Sequence, residues 1–505
     1  MAEKVKEIIS SGKKDEGNTK GPKGSLDSRP KGKKIEFRDM FLFFTLFFYC
    51  CFLINFLFAC VSHGNSFGES LYYNGRRTDL FMDFFNSMRD ASNSDVYTGR
   101  NNIYPPLSLL IFKFLDLFVD PQLVKTTSED KVLMELNQRT MMIFFLFAII
   151  CVIFTVRVLN AYLNALNLDK KTRSEGRVLI FLLLLSYPMI FGIERGNIVL
   201  LCYFFTAYFV FFYKSENKLM RELSYVSLAI AAGIKIYPAF FGLLLLYDKR
   251  WKDAGKTILY GIIAFAVPAL FFIHPSSLFE AGNVSASHSG MLAILGEEGN
   301  GFISTLIQNI ITFTTKRKSV VNLSSVSIEN IIFLIAPGSV ITANIVMVSF
   351  DVIAALMIFL AKKDWQKSFL ICYMMLNIPA ASTSYAIFFL VIPFLQFMFG
   401  EKEHTRIDWL YLVLFTLLFV PLPTLWYFNS APMKELAYYL GIKYNAKLNQ
   451  ILGTPCVQAM FISLVIQLMG SSEKKDESSM KILKKSKKSE NSETDEKPAP
   501  AKETA

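Results

Sequence analysis

The 505-residue chain has only four histidines and four tryptophans, and charged residues make up just 19% of it. Its seven cysteines (Cys50, Cys51, Cys60, Cys151, Cys202, Cys372 and Cys456) lie in or at the edge of apolar segments. None shows a Cys-x-x-Cys spacing, so neither disulfides nor a cysteine metal site is expected. His274 and His288 are isolated, and no paired-carboxylate or His-rich ligand set stands out beyond Asp79 and Asp83. No cofactor is therefore expected, and a divalent metal is not predicted, although a magnesium bridge at that pair stays open. There is no internal repeat. The polar stretch before the first apolar run is too long for a cleavable signal peptide.

What the chain has in excess is apolar residues, 52% of the total, including 48 Phe. They come in blocks such as 40–61, 141–156, 198–213 and 258–273, close to the ~20 residues that cross hydrocarbon. This predicts an all-α polytopic membrane protein embedded in a lipid bilayer. A soluble enzyme, a fibrous protein and a secreted disulfide scaffold are excluded. The formal charge of +11 does not point to nucleic acid, because so much of the basic charge sits in the tails. Residues 1–39 hold eleven Lys/Arg against seven Asp/Glu, and residues 471–505 hold nine against eight. Both are expected to be disordered cytoplasmic tails. Lys481–Lys488 could also touch anionic lipid headgroups.

Keeping short basic loops on the cytoplasmic side gives the topology. Helices at about 40–61 and 140–160 are followed by hairpins at 178–213 and 223–247. Helices at 257–274 and 339–361, a hairpin at 368–399, and helices at 409–427 and 455–470 complete about twelve transmembrane crossings. The domain would thus run over 40–470, with both termini cytoplasmic and large outer loops at about 62–139 and 275–338. Residues 104–119, which carry Lys113 and Asp116, are expected to form an interfacial helix rather than a crossing. The 223–247 hairpin is short for two full spans and could be re-entrant. The run 302–315 reads as a surface-lying amphipathic helix.

Ionisable groups at membrane depth cost about 2.5–3.5 kcal/mol each on insertion scales, so they are functional candidates. Two hairpins turn outside on nearly loopless tips, Glu194-Arg195-Gly196-Asn197 and Lys235-Ile236-Tyr237-Pro238. Their cations could simply snorkel to the water boundary. Positive residues normally avoid the outer side, however, and Arg195 and Lys235 together would suit a lipid-linked phosphate. In the first outer loop the spacing predicts a helix over 78–90, with Asp79, Asp83, Asn86 and Asp90 on one face. Leu80, Phe81, Phe84, Phe85 and Met88 would rest on the membrane. Such a helix is equally an ordinary amphipathic one with a solvated acidic face. Further on, Tyr104-Pro105-Pro106-Leu107 marks a rigid helix start.

In order, these pieces resemble glycosyltransferase family 87, the polyprenol-phosphate-mannose-dependent mannosyltransferases of the GT-C superfamily. The matching features are Asp79-Leu80, Asp95-Val96-Tyr97 before Tyr104-Pro105-Pro106-Leu107, Gly196-Asn197, and Ala231-Ala232-Gly233-Ile234-Lys235-Ile236-Tyr237-Pro238. The leucine run 243–246 and Lys249-Arg250-Trp251 follow, so the likeness covers roughly 41–256. Family members often carry Gly-Gln-x-Asn where this chain has Glu194-Arg195-Gly196-Asn197. The resemblance implies a GT-C-like bundle, with amphipathic helices in its extracytoplasmic loops. It also implies an inverting hexosyltransferase that moves one sugar, mannose by family default, from a polyprenyl phosphate to a glycan or lipid-linked acceptor. The reaction would build cell envelope glycan at the extracytoplasmic face of the cell membrane. Asp79 matches the family's base, with Asp83 as alternate or partner. Arg195 and Lys235 would bind donor phosphate. Asn86, Tyr104, Glu194, Asn197, Tyr237 and Tyr385 would line the substrates, with Tyr104 and Tyr385 stacking on sugar or acceptor. The alternative is a flippase or transporter of lipid-linked sugars, which would place polar groups at several depths rather than at the outer level alone.

Overall fold

The computed structural model describes residues 36–61, 81–92, 104–119, 137–272, 340–377, 386–401, 404–423, 448–449 and 452–470. Among these, the architecture is helical, with no strand. The helices are α1 (Phe37–Val61), α2 (Met82–Ser92), α3 (Pro106–Asp116), α4 (Gln138–Ala165), α5 (Lys170–Leu184), α6 (Tyr187–Arg195), α7 (Val199–Phe212), α8 (Lys218–Ile234) and α9 (Leu243–Tyr247). Then come α10 (Trp251–Ala269), α11 (Val340–Leu360), α12 (Asp364–Asn377), α13 (Val391–Gly400), α14 (Asp408–Phe419) and α15 (Leu452–Gly470). Short 3₁₀ turns, Tyr237–Gly242 and Ala386–Leu390, lead into α9 and α13.

Helices stand wherever a crossing is expected, but their lengths differ. Among the described residues four are long and apolar enough to cross a membrane: α1, α4, α10 with its 3₁₀ end, and α15. A fifth forms if α5 and α6 count as one span bent by 44°. That bend falls where Ser186 and Pro188 open α6, because proline has no N–H to continue the α5 ladder. The return leg of the 223–247 hairpin is a 3₁₀ turn plus the five-residue α9, too short for a full span. Residues 1–35 and 471–505, the run 302–315 and Asp95 lie outside the described residues.

The long helices bury one stripe and expose apolar side chains elsewhere, as lipid-facing helices do. In α1 the buried residues are Met40, Phe44, Phe48, Cys51 and Asn55, at helical spacing. Leu42, Leu46, Leu53 and Leu57 on its other faces are each more than half exposed. A continuous apolar surface of this kind marks a membrane protein. α1 starts at Phe37, three residues ahead of the expected boundary. Asp39 accepts the Glu36 N–H at 3.5 Å, half of a capping box.

The basic loops gather at one end of α7 and α8. Asp169 caps α5 by accepting from the amides of Lys171 and Thr172, and Asn217 caps α8 in the same way. These bonds, led by those from Thr172, hold the Asp169 carboxyl below its ordinary value. Lys214 bridges Asp248 and Asp364 at 3.2 Å each, Lys367 reaches Asp248 at 3.6 Å, and Lys363 pairs with Glu401 at 2.9 Å. Burial would raise the Asp248 carboxyl, but Lys214, the Tyr213 hydroxyl and Lys367 hold it below the usual carboxylate range. The loops before α8, α10 and α12 are thereby stapled together.

Candidate functional site

The two hairpin tips lie at the other ends of α7 and α8. The first is a Schellman turn. Gly196, with φ +64, donates to the Ile193 carbonyl at 2.9 Å, and Asn197 N–H donates to Gly192 at 3.1 Å. Only glycine suits this position, because a Cβ there would sit 2.8 Å from Cβ of Phe84 and 3.1 Å from the Phe81 carbonyl. That close approach seats the start of α2 on the tip.

Each residue of the tip then engages the first outer loop. The Glu194 carbonyl accepts the Phe81 N–H at 2.7 Å. Arg195 Nη2 lies 2.6 Å from Asp83 Oδ1. Asn197 Nδ2 donates to Asp83 Oδ2 at 2.6 Å, while Asn197 Oδ1 accepts the Val199 N–H at the start of α7. Asp83 and Arg195 keep 17% and 22% of their side-chain surface, so the pair faces an opening rather than the deep core.

Lys235 completes the group. It is the C-cap of α8 in extended backbone, and its Nζ lies 4.9 Å from the Tyr104 ring centroid and 5.9 Å from that of Tyr237. The Asp83 carboxylate is near enough to act on it electrostatically. Gly233, two residues earlier, has no room for a Cβ. Leu107 of α3 would be 2.9 Å away and the Ala264 carbonyl of α10 3.2 Å. Squeezed between α3 and α10, the end of α8 has one position, and so does Lys235. Pro105 and Pro106 open α3 as expected, and this fixes Tyr104 beside it.

Two expectations need correction. α2 begins at Met82, because Phe81 adopts a left-handed φ of 55° and turns its N–H to Glu194. The helix expected over 78–90 thus stands at Met82–Ser92, where Asp83, Asn86 and Asp90 share α2, while residues 78–80 lie outside the described residues. Nor does α2 rest on the membrane. Phe84, Phe85 and Met88 are at most 1% exposed, and Phe84 packs on Phe112, Phe144 and Phe147 at 5.3–5.6 Å between ring centroids. The aromatic face found a protein partner in α3 and α4 instead of lipid.

The structure thus brings together Asp83, Arg195, Asn197, Lys235, Tyr104 and Tyr237. Asn86 is half-buried one turn further along α2, and the Glu194 side chain is packed away at 4% exposure. Asp79 and Tyr385 lie outside the described residues. Sequence reasoning gave Asp83 and Arg195 separate roles and missed their contact, since a pair 112 residues apart leaves no local spacing to read. α3 is eleven residues long, about 16 Å at 1.5 Å per residue, which suits a helix at the interface better than a crossing. Lys113 over the Phe272 ring fits that position. Among the described residues, no group of three His, Cys, Asp or Glu side chains could hold a metal ion.

The helices α4 to α10, with both tips and Tyr104, form a continuous stretch that can be compared with known families. Residues 102–281 match glycosyltransferase family 87. The match spans just over a third of the chain and bears out the resemblance drawn from the motifs. No curated protein matches the chain. The family 87 segment holds Arg195, Asn197, Lys235, Tyr104 and Tyr237, whereas Asp79 and Asp83 precede it. The chain is thus similar over this segment to a family of membrane glycosyltransferases, a likeness that implies a sugar donor and an acceptor.

Proposed function

We propose that the chain is an inverting GT-C-type transferase that moves one sugar, mannose by family default, from a polyprenyl phosphate to a glycan or lipid-linked acceptor. The reaction runs at the extracytoplasmic face of the cell membrane, with about twelve crossings and both termini inside. One observation carries this reading. Two cations from separate hairpins converge on a carboxylate of the first outer loop, beside two tyrosine rings. The basic loops stapled at the other end support their assignment to the cytoplasm.

Lys235 and Arg195 take the donor phosphate. A phosphate leaves as a weak base, so it needs cations rather than a general acid, and no metal is required to spread its charge. Tyr104 and Tyr237 hold Lys235 from its ring side, and Tyr104 and Tyr385 offer faces to the sugar or acceptor. Asp79 removes the acceptor hydroxyl proton, and a single in-line displacement inverts the anomeric carbon. Asp83 accepts from Arg195 and Asn197, one donor on each oxygen, and the base is assigned to Asp79, which matches the family's.

The test uses purified protein in proteoliposomes with radiolabelled polyprenyl-phosphate mannose. Transfer of label to a glycan or lipid-linked acceptor is expected. Scrambling of the lipid-linked sugar between leaflets without transfer would replace the transferase with the flippase.

A further inference from the structure

We infer that Asp83 is a positioning residue, an electrostatic latch that docks the first outer loop onto the family 87 segment. The loop belongs to a part of the chain that precedes the matched residues, so something must join the two. Three bonds do so within four residues on each side: Phe81 N–H to the Glu194 carbonyl, Asp83 to Arg195, and Asp83 to Asn197. Asp83 lies in the first turn of α2, where the helix dipole also favours a carboxylate. Its two oxygens take one donor each from the two sides of the same glycine, Gly196. The Schellman turn presents both donors together, and a tip lacking the left-handed glycine would not.

Backbone strain points the same way. Phe81 is not glycine, yet it holds φ 55°, a conformation that persists where the surroundings over-determine it. The Glu194 carbonyl and the Phe144 ring, 4.2 Å from the Phe81 ring centroid, supply that constraint. Releasing the latch frees Phe81 to return to an ordinary conformation, and this redirects the residues that enter α2. Resting on the proposed transferase reading, the latch holds α2 against the tip that carries Arg195 without itself touching the sugar.

Hydrogen exchange of the whole protein in lipid nanodiscs tests the latch without requiring activity. Asp83→Asn and Arg195→Ala should each quicken exchange across 81–92 about tenfold, the low end for a charge-assisted bond that is partly exposed. α7 and α8 should stay as protected as in the parent, showing that the bundle is intact. The double variant should exchange no faster than the faster single one, because both remove the same interaction. In transfer assays Asp83→Asn should lower kcat while leaving KM for the donor unchanged. If Arg195→Ala fails to accumulate, the near-isosteric Asp83→Asn decides alone. Unchanged exchange in Asp83→Asn overturns the latch, as does a double variant whose effect is the product of the singles. A parent protein that transfers no sugar sinks the transferase reading but leaves the exchange result able to decide the latch.

Discussion

The two hairpin tips sit at the same end of the bundle, present one cation each, and are built by opposite means. The tip at 194–197 is a closed turn on a left-handed glycine, and its arginine is held by a carboxylate 2.6 Å away. The tip at 235–237 is an extended residue between a helix and a 3₁₀ turn, and its lysine lies over aromatic faces. A carboxylate neutralises the cation it holds, whereas a ring steadies a cation without cancelling its charge. The first tip thus positions its cation through another part of the protein. The second positions its cation through aromatic faces. The staple at the opposite end of α7 and α8 makes the same point by contrast, since Lys214 and Lys367 there are each held by carboxylates.

The largest expected effect separates chemistry from docking. Asp79→Asn should cut turnover by about 10²–10⁴-fold, the usual contribution of a general base. Exchange protection of α2 should stay at the parent level, because the latch is untouched. Normal turnover at equal expression and saturating donor would remove Asp79 as the base.

Breaking the first tip itself comes next. Gly196→Ala adds a Cβ that would sit 2.8 Å from Phe84 and asks alanine to hold a left-handed φ. The conformational cost is about 1–2 kcal/mol and the overpacking about 1–3 kcal/mol more. A lowered melting temperature together with loss of α2 protection is expected. Lys235→Ala should weaken donor use by roughly ten- to a hundredfold, about 1.5–3 kcal/mol for a charge-assisted phosphate contact. It should leave α2 docked. If Lys235→Ala undocks α2, or leaves donor kinetics unchanged, the division of labour between the tips is wrong.

The membrane character of the chain, the helix positions and the two cationic tips were legible in the sequence because each is a local pattern. Apolar runs of spanning length and Pro105-Pro106 at a helix start both announce themselves within a few residues. The pairing of Asp83 with Arg195 was not, since it depends on where α2 packs. The amphipathic pattern of α2 is plain in the sequence, but the pattern alone points its Phe84 face to lipid. A hydrophobic face reads the same toward lipid tails and toward Phe112, Phe144 and Phe147, so the pattern cannot tell them apart. The start of α2 was missed for a related reason. The left-handed Phe81 is imposed by the tip it touches, not by any preference of phenylalanine.

The smallest expected effect probes what the second tip is made of. If the ring face of Tyr104 steadies Lys235, the hydroxyl plays no part, and Tyr104→Phe should leave donor kinetics near the parent value. Tyr104→Leu keeps an apolar side chain but removes the π face 4.9 Å from Nζ. The Tyr237 ring, at 5.9 Å, would remain. Losing one of two such contacts at a partly open site is worth about 0.5–1 kcal/mol, a two- to fivefold rise in donor KM. The order of the variants matters more than the size of either effect. Phenylalanine should behave like tyrosine, and leucine should be worse than both. If Tyr104→Phe is as impaired as Tyr104→Leu, the hydroxyl is what matters. Tyr104 would then hydrogen-bond a substrate, and the contrast between a carboxylate-held and a ring-held cation would lose one of its two rings.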